Sequence, residues 1–251
     1  VPNTDGSTAD VAEQFQTGSW AFTQDVVDVF DQHVRASVPF YDAIQDLAAQ
    51  VSDWTVPAGG LVADLGASTG TTVRRMMARH PQRNIHAALY DVEQPMLTRA
   101  SALMAKEPHS GEHVQYFDHD ITQPLKHADA DLTLIFFTLQ FMSLRGRLAA
   151  LRNARMCANE TGALLVAEKV RPTDARWAEI ANDLSHDWKA DHGIDASAIR
   201  AKASALRGVL MPYPESTLKM TMESAGWKAP EVLFRWHSWV VMGAFATVSG
   251  Y

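Results

Sequence analysis

The stretch VADLGASTG, residues 62–70, brings an acid, two glycines and two hydroxyls together at the end of an apolar run. Such a loop can cradle a phosphate, turn around a dinucleotide or meet an amino-acid head group. A Walker-type phosphate loop needs a lysine directly after its last glycine, because a cation must meet the terminal phosphates. Gly70 is followed instead by Thr71 and Thr72. A dinucleotide turn needs three glycines spaced GxGxxG so that backbone can approach the pyrophosphate. This loop has only Gly66 and Gly70, with Ala67, Ser68 and Thr69 between them. What remains is Asp64 at the end of a strand, then a GxxxG turn opening a helix whose first amides can receive a carboxylate. That chemistry suits an amino-acid head group.

Two later acids extend the pattern. Asp91, followed by Val92, closes the next apolar run 25 positions after Gly66. A carboxylate there can accept both hydroxyls of a ribose, as in dinucleotide sites. Asp120 closes a third run in DHDI, followed by Ile121. The D-x-G-x-x-x-G pattern resembles motif I of class I S-adenosylmethionine-dependent methyltransferases. In that family an acid at the position of Asp120 meets the adenine amino group, with Ile121 supplying a backbone amide and an apolar contact.

The elements that must hold these residues can be read from periodicity. Apolar side chains at Phe22, Val26, Val29, Phe30 and Val34 mark an amphipathic helix. Pro39 breaks it, and YDAIQDLAAQVSDW resumes with Ile44, Leu47, Ala48 and Val51 on one face. Tyr41 stands at the corner. The runs LVADLG, NIHAALYD, HVQYFDHDI, DLTLIFFTLQF and ALLVAEKV read as strands, the last preceded by a turn at NETG. Helices at TGTTVRRMMARH, QPMLTRASALMAK and LRGRLAALRNARMCA alternate with them. The alternation predicts a parallel sheet covered on both faces. Residues 173–208 interrupt it with a long helical stretch at a strand's C-terminal end, the place for a lid. EVLFRWHSW and VVMGAFATV are joined too closely to be anything but antiparallel. The fold class is therefore α/β, and the resemblance implies a Rossmann-like class I methyltransferase fold: a seven-stranded mostly parallel sheet with an antiparallel C-terminal hairpin and a helical insert. The expected organisation is a flexible N-terminal arm over 1–17 and one S-adenosylmethionine-binding α/β domain over 18–251, with N-terminal helices at 22–54 and the lid at 173–208.

Bulk composition narrows the partners. The 251 residues are 47% hydrophobic and 20% charged, with a formal net charge of -7. There is no basic field to hold a polyanion, so a nucleic-acid partner is disfavoured. No apolar run approaches the ~20 residues needed to span a bilayer. The single Cys157 reads as a helix-packing residue and fits a reducing compartment, so a cytoplasmic location is expected. The ten histidines contain no HExxH, and His186 and His192, six apart on a helix, point to different faces, so no metal is expected. Trp177, Trp188, Trp236 and Trp239 read as core aromatics.

A closer resemblance lies in the flanking blocks. GSWAF at 18–22, FDQHVRASVPFYDAI at 30–44, DLGASTG at 64–70, FTLQFM at 137–142, AEKV at 167–170 and LSHDWKADHGID at 184–195 resemble the carboxy-S-adenosylmethionine synthase family of bacterial tRNA wobble-uridine modification. The similarity runs from about Gly18 to Ala246. It implies that the cofactor is held by Tyr41, by the loop of Asp64, Gly66, Ala67, Ser68 and Gly70, and by Asp91, Val92, Asp120 and Ile121. It also implies a homodimer. Two positions depart from the pattern. Phe136, still expected among the cofactor-binding residues, replaces the family's asparagine, and Ala203 falls where the family has the arginine that pairs with the extra carboxylate. Arg200 and Arg207 lie three before and four after Ala203, on the same helical face, and can substitute for that arginine only if they turn inward.

These residues favour unmodified S-adenosyl-L-methionine and methyl transfer to a small or medium-sized acceptor. Transfer from a sulfonium needs mainly alignment; where a proton must leave, Tyr41, His186 and Asp187 are the candidate catalytic groups, with Gln140 at the rim. Two alternatives stand beside this reading. One is a carboxy-S-adenosylmethionine synthase using prephenate, with a replaced arginine. The other is a non-catalytic S-adenosylmethionine-binding partner protein.

Overall fold

In a computed structural model of the chain, which describes residues 24–107, 113–127 and 129–248, the apolar runs become the strands of one sheet. The expected arm over 1–17, the block GSWAF and Phe22 lie outside those residues. Helices α1 (Gln24–Ser37) and α2 (Tyr41–Thr55) come first, separated at Pro39. Strands β1 (Leu61–Leu65), β2 (His86–Asp91), β3 (Val114–Asp118) and β4 (Ala130–Phe136) follow, with helices α3 (Thr71–Arg79) after β1 and α4 (Gln94–Met104) after β2. A 3-10 turn at Leu139–Phe141 leads to α5 (Leu144–Cys157) and β5 (Ala158–Lys169). The insert forms α6 (Ala175–Asp191) and α7 (Ala196–Ala205). Helix α8 (Glu215–Ser224), β6 (Lys228–Trp236) and β7 (Trp239–Phe245) complete the element order.

The strand order is β3-β2-β1-β4-β5-β7-β6. Strands β1 to β5 are parallel, and β7 runs antiparallel between β5 and β6. Order reverses between β1 and β4, so the chains leaving these two strands diverge and open a crevice at their C-terminal ends. Val62 joins the core under α2, α3 and α4, whereas its neighbour Ala63 joins the core under α5 and α8. Burial on both faces is why β1 reads as an unbroken apolar run.

Three local expectations shift. The NETG stretch is not a separate turn: β5 starts at Ala158, directly after α5, and changes register against β4 between Ala130 and Leu132. Asn159 Nδ2 donates to Asp131 Oδ1 at 2.8 Å, and Thr161 N donates to Asn159 Oδ1 at 2.9 Å, so turn-type residues build a bulge. The run DLTLIFFTLQF ends as a strand at Phe136, because Phe137 takes a left-handed φ of 55°. Strand β3 ends at Asp118, which leaves Asp120 two residues beyond it.

Beneath the crevice lies a buried ion pair. Arg147 Nη1 of α5 donates to Glu168 Oε1 of β5 at 2.7 Å, with both side chains almost wholly excluded from solvent. The same guanidinium donates to the carbonyls of Met211, at 2.6 Å, and Met142, at 3.1 Å, and lies 4.7 Å from the Tyr213 ring centre. Breaking one side of such a pair leaves an uncompensated buried charge. Arg147→Met is expected to lose about 3–5 kcal/mol in urea unfolding. The double variant Arg147→Met/Glu168→Leu is expected to recover much of that loss.

Candidate active site

The crevice contains a cavity of about 440 Å³, a volume typical of small-molecule sites. One wall is the loop after β1. Gly66, Ser68 and Gly70 all take left-handed backbone, with φ of 86°, 50° and 70°. The amides of Gly66 and Ala67 donate to Tyr90 O at 2.8 and 2.9 Å, and Ser68 N donates to Asp91 Oδ2 at 2.8 Å, which pins the loop to the end of β2. A Cβ on Gly66 would lie 2.1 Å from Thr138 Oγ1, so the loop after β4 demands a glycine there. The need for Gly66 thus comes from protein packing behind the loop as well as from the cavity side. Helix α3 starts at Thr71, and both Thr71 and Thr72 line the cavity at its N-terminus. Helix α1 roofs the loop, since Thr69 Oγ1 donates to Asp31 Oδ1 at 2.6 Å.

The acids predicted from the sequence converge here. Asp64, Asp91 and Asp120 all line the cavity, as do Gly66, Ala67, Ser68, Val92, Ile121 and Phe136. Gly70, the residue before α3, is buried just behind. Asp91 accepts from the Ser68 and Glu93 amides, one on each oxygen, at 2.8 and 2.9 Å. Each oxygen keeps a second lone pair for a further donor. Burial raises its carboxyl above the ordinary value. Asp120 is exposed and accepts from Thr122 N at 2.8 Å. Tyr41 is buried at the start of α2, its ring centre 6.0 Å from that of Phe137. Burial, then the charge of Asp31, raises its phenol above the ordinary range, so it keeps its proton.

The insert contributes differently from expectation. His186 is half-buried and Asp187 exposed, and neither belongs to the cavity lining. The residue of α6 that turns inward is Lys189. Asp187, two positions before it, falls on the other side of the helix because two residues advance about 200°. Arg200, Ala203 and Arg207 are all exposed. Lys202 of α7 and Lys169 of β5 join Lys189 in the lining. Gln140 lines the cavity too, and its Oε1 accepts from Lys169 N at 3.1 Å. Of the four tryptophans read as core, Trp177 is 61% exposed, while Trp239 is buried and faces the cavity. Trp188 packs against Phe40, Trp236 and His192. His33, Lys169, Lys189, Lys202 and Trp239 were not singled out from the sequence as site residues.

Among the described residues no group of three His, Cys, Asp or Glu side chains is arranged to hold a metal, and no helix is long and apolar enough to cross a membrane.

A family model described as a methyltransferase domain matches residues 63–164. The carboxy-S-adenosyl-L-methionine synthase of Desulfotalea psychrophila is 31% identical over 228 residues, covering 90% of this chain and 89% of the relative. The enzymes of that name from Methylococcus capsulatus and Escherichia coli are 30% and 28% identical, each over 222 residues, covering 88% and 87% of this chain and 91% and 87% of the relatives. Among solved structures, an O-methyltransferase family protein from Burkholderia thailandensis superposes with a TM-score of 0.65 at 15% identity, covering 97% of this chain and 68% of that one. Human N-acetylserotonin methyltransferase in complex with S-adenosylmethionine gives a TM-score of 0.58 at 16% identity, covering 96% of this chain and 65% of that one. The strand order, the loop and these likenesses define an S-adenosylmethionine-dependent transferase of the class I methyltransferase fold. Within that class, the chain belongs to the carboxy-S-adenosyl-L-methionine synthase family.

Asp64 yields a pH prediction. It is wholly buried, and desolvation, then the charge of Asp91, pushes its carboxyl from 3.8 up to about 7. A folded-state value above the unfolded one means that Asp64 favours folding while protonated, and that this contribution is lost as pH rises from 3.8 through about 7. Without ligand, Asp64→Asn should therefore gain thermal stability over the unsubstituted protein by several degrees between pH 4.5 and about 7.5. Parallel melting curves across that range would check it.

Proposed function

We propose that the protein is an S-adenosyl-L-methionine-dependent methyltransferase whose small acceptor is enclosed with the cofactor beneath the α6 and α7 insert. The observation that carries this reading is the gathering of Asp64, the Gly66 to Gly70 loop, Asp91 and Asp120 around one cavity covered by the insert. The donor set suits each part of the cofactor. The first amides of α3 suit an amino-acid carboxylate. Asp64 suits the ammonium beside that carboxylate, which would draw the buried acid back into its charged form. Asp91 suits the ribose hydroxyls, and Asp120 with Ile121 suits the adenine edge.

When bound, S-adenosylmethionine supplies an activated methyl on a sulfonium that departs as a neutral thioether. The chain's own residues then have mainly to align and enclose. Tyr41 is a protonated hydrogen-bond donor in the wall, not a base. Phe136 presents an apolar surface where the family pattern has a polar amide. Methyl transfer is favoured over carboxyl chemistry because Ala203 supplies no cation and the neighbouring Arg200 and Arg207 are exposed.

A second reading, a carboxy-S-adenosyl-L-methionine synthase, is favoured by one observation: Lys169, Lys189 and Lys202 face the cavity. Mass spectrometry after incubation with S-adenosylmethionine, with and without prephenate, separates the two. Methyl transfer predicts no carboxylated cofactor under either condition, and its appearance on adding prephenate would overturn that reading in favour of the second. Both readings require Asp91. Asp91→Ala is expected to weaken S-adenosylmethionine binding by about 1–3 kcal/mol in calorimetry through lost charge-assisted hydrogen bonds; unchanged affinity would move the cofactor elsewhere.

A further inference from the structure

Where the insert meets α1, a lysine of the cavity wall touches a hydroxyl and an imidazole. Lys202 of α7 donates from Nζ to Ser37 Oγ at 3.1 Å and contacts Nε2 of His33, and Ser37 Oγ lies 3.3 Å from the same ring nitrogen. All three side chains line the cavity, in a wall that also includes Phe30, Val34 and Leu206. Burial, then Lys202 and Lys189, lower His33 to about 3, so its imidazole is neutral at pH 7. Lys189 of α6 and Lys169 of β5 reach the same cavity. Burial first, and then these two lysines, lower Lys202 to about 7.

A lysine attacks carbon only as the free amine, and at pH 7 an ordinary lysine is in that form in about one molecule in 2,500. Burial and neighbouring cations both remove that obstacle, because each disfavours the ammonium. At Lys202 they leave about half of the molecules uncharged at pH 7. The cavity wall thus presents an amine nucleophile with a hydroxyl and a neutral imidazole at its nitrogen. We propose that Lys202 is a carbonyl-capturing residue, which forms a Schiff base with an uncharged aldehyde or ketone entering the cavity. Nζ bonds to the carbonyl carbon while the C=O π pair moves onto oxygen. Both amine protons pass to that oxygen, through the Ser37 hydroxyl and the His33 imidazole that touch Nζ, and the oxygen departs as water. The nitrogen lone pair closes the C=N bond, so one imine and one water form per carbonyl, and no oxidant or reductant is consumed. This capture does not depend on the loop end holding S-adenosylmethionine.

Reductive trapping on the full chain tests the assignment, with propanal as the uncharged probe. The protein is incubated at pH 7 with propanal and cyanoborohydride, which reduces an imine to a stable secondary amine, and the propylated lysines are located by peptide mass spectrometry. Lys202 is expected to be alkylated at least tenfold faster than Lys219 and Lys228, which are exposed. Access alone would give the opposite order. The Lys202 rate should level off above about pH 7, well below the range in which an ordinary lysine titrates. Ser37→Ala should slow it severalfold, with the exposed lysines as internal reference. Lys202→Arg keeps a cation beside α1 but cannot form an imine, so the fast reaction should vanish while the exposed lysines react as before. Should that variant fail to fold, the distribution of label in the unsubstituted protein still decides. Alkylation of Lys202 no faster than that of Lys219 and Lys228 overturns the proposal and leaves Lys202 as a tie between α7 and α1. A fast reaction at Lys169 or Lys189, with Lys202 unlabelled, overturns it as well.

Discussion

The pairing of Arg147 with Glu168 decides where much of this molecule can go. Glu168 has no access to water, so its charge is tolerable only because a guanidinium is held 2.7 Å away. That guanidinium also binds the carbonyl of Met211, and Met211 N in turn donates to Gln140 O at 2.7 Å. The chain returning from the insert is thereby fastened to α5 and to the turn after β4. Side chains alternate along a strand, so fixing Glu168 toward α5 sends its neighbour Lys169 to the opposite face, into the cavity. One buried pair thus sets the exit of β5, the return of the insert and the orientation of a cavity lysine.

Around that anchor the site divides by charge. The parallel half of the sheet ends in carboxylates, beside a helix N-terminus that favours a negative group. The end of β5 and the insert bring the ammoniums of Lys169, Lys189 and Lys202. The sequence total of -7 gives no hint of this local field, because net charge reports the surface as a whole and a cavity responds to the few groups that face it.

The parts legible in the sequence were those whose cause is local. The order of elements follows from apolar periodicity, and the loop follows from the spacing of Asp64, Gly66 and Gly70. Asp91 and Asp120 were legible because strand ends on a parallel sheet share one edge. What depends on distant partners was not legible. NETG carries turn chemistry, but Asp131 on the neighbouring strand captures Asn159 and turns the segment into a bulge. His186 and Asp187 carry the residue types of acid–base chemistry, yet the phase at which α6 docks turns Lys189 inward. Lys169, Lys189 and Lys202 come from three elements, and each alone resembles an ordinary solvated lysine. Only the packing of the insert over β5 reveals them as a set.

On the proposed reading, one cavity holds S-adenosylmethionine with its ribose on Asp91 and its amino-acid end at the Gly66 to Gly70 loop. A crystal structure of the protein grown with S-adenosylhomocysteine tests this most directly. Both ribose hydroxyls are expected within hydrogen-bond distance of the Asp91 carboxylate, and the amino-acid end against the loop and the first turn of α3. The ligand bound at any other surface, or with its adenine at the lysine end, would contradict it.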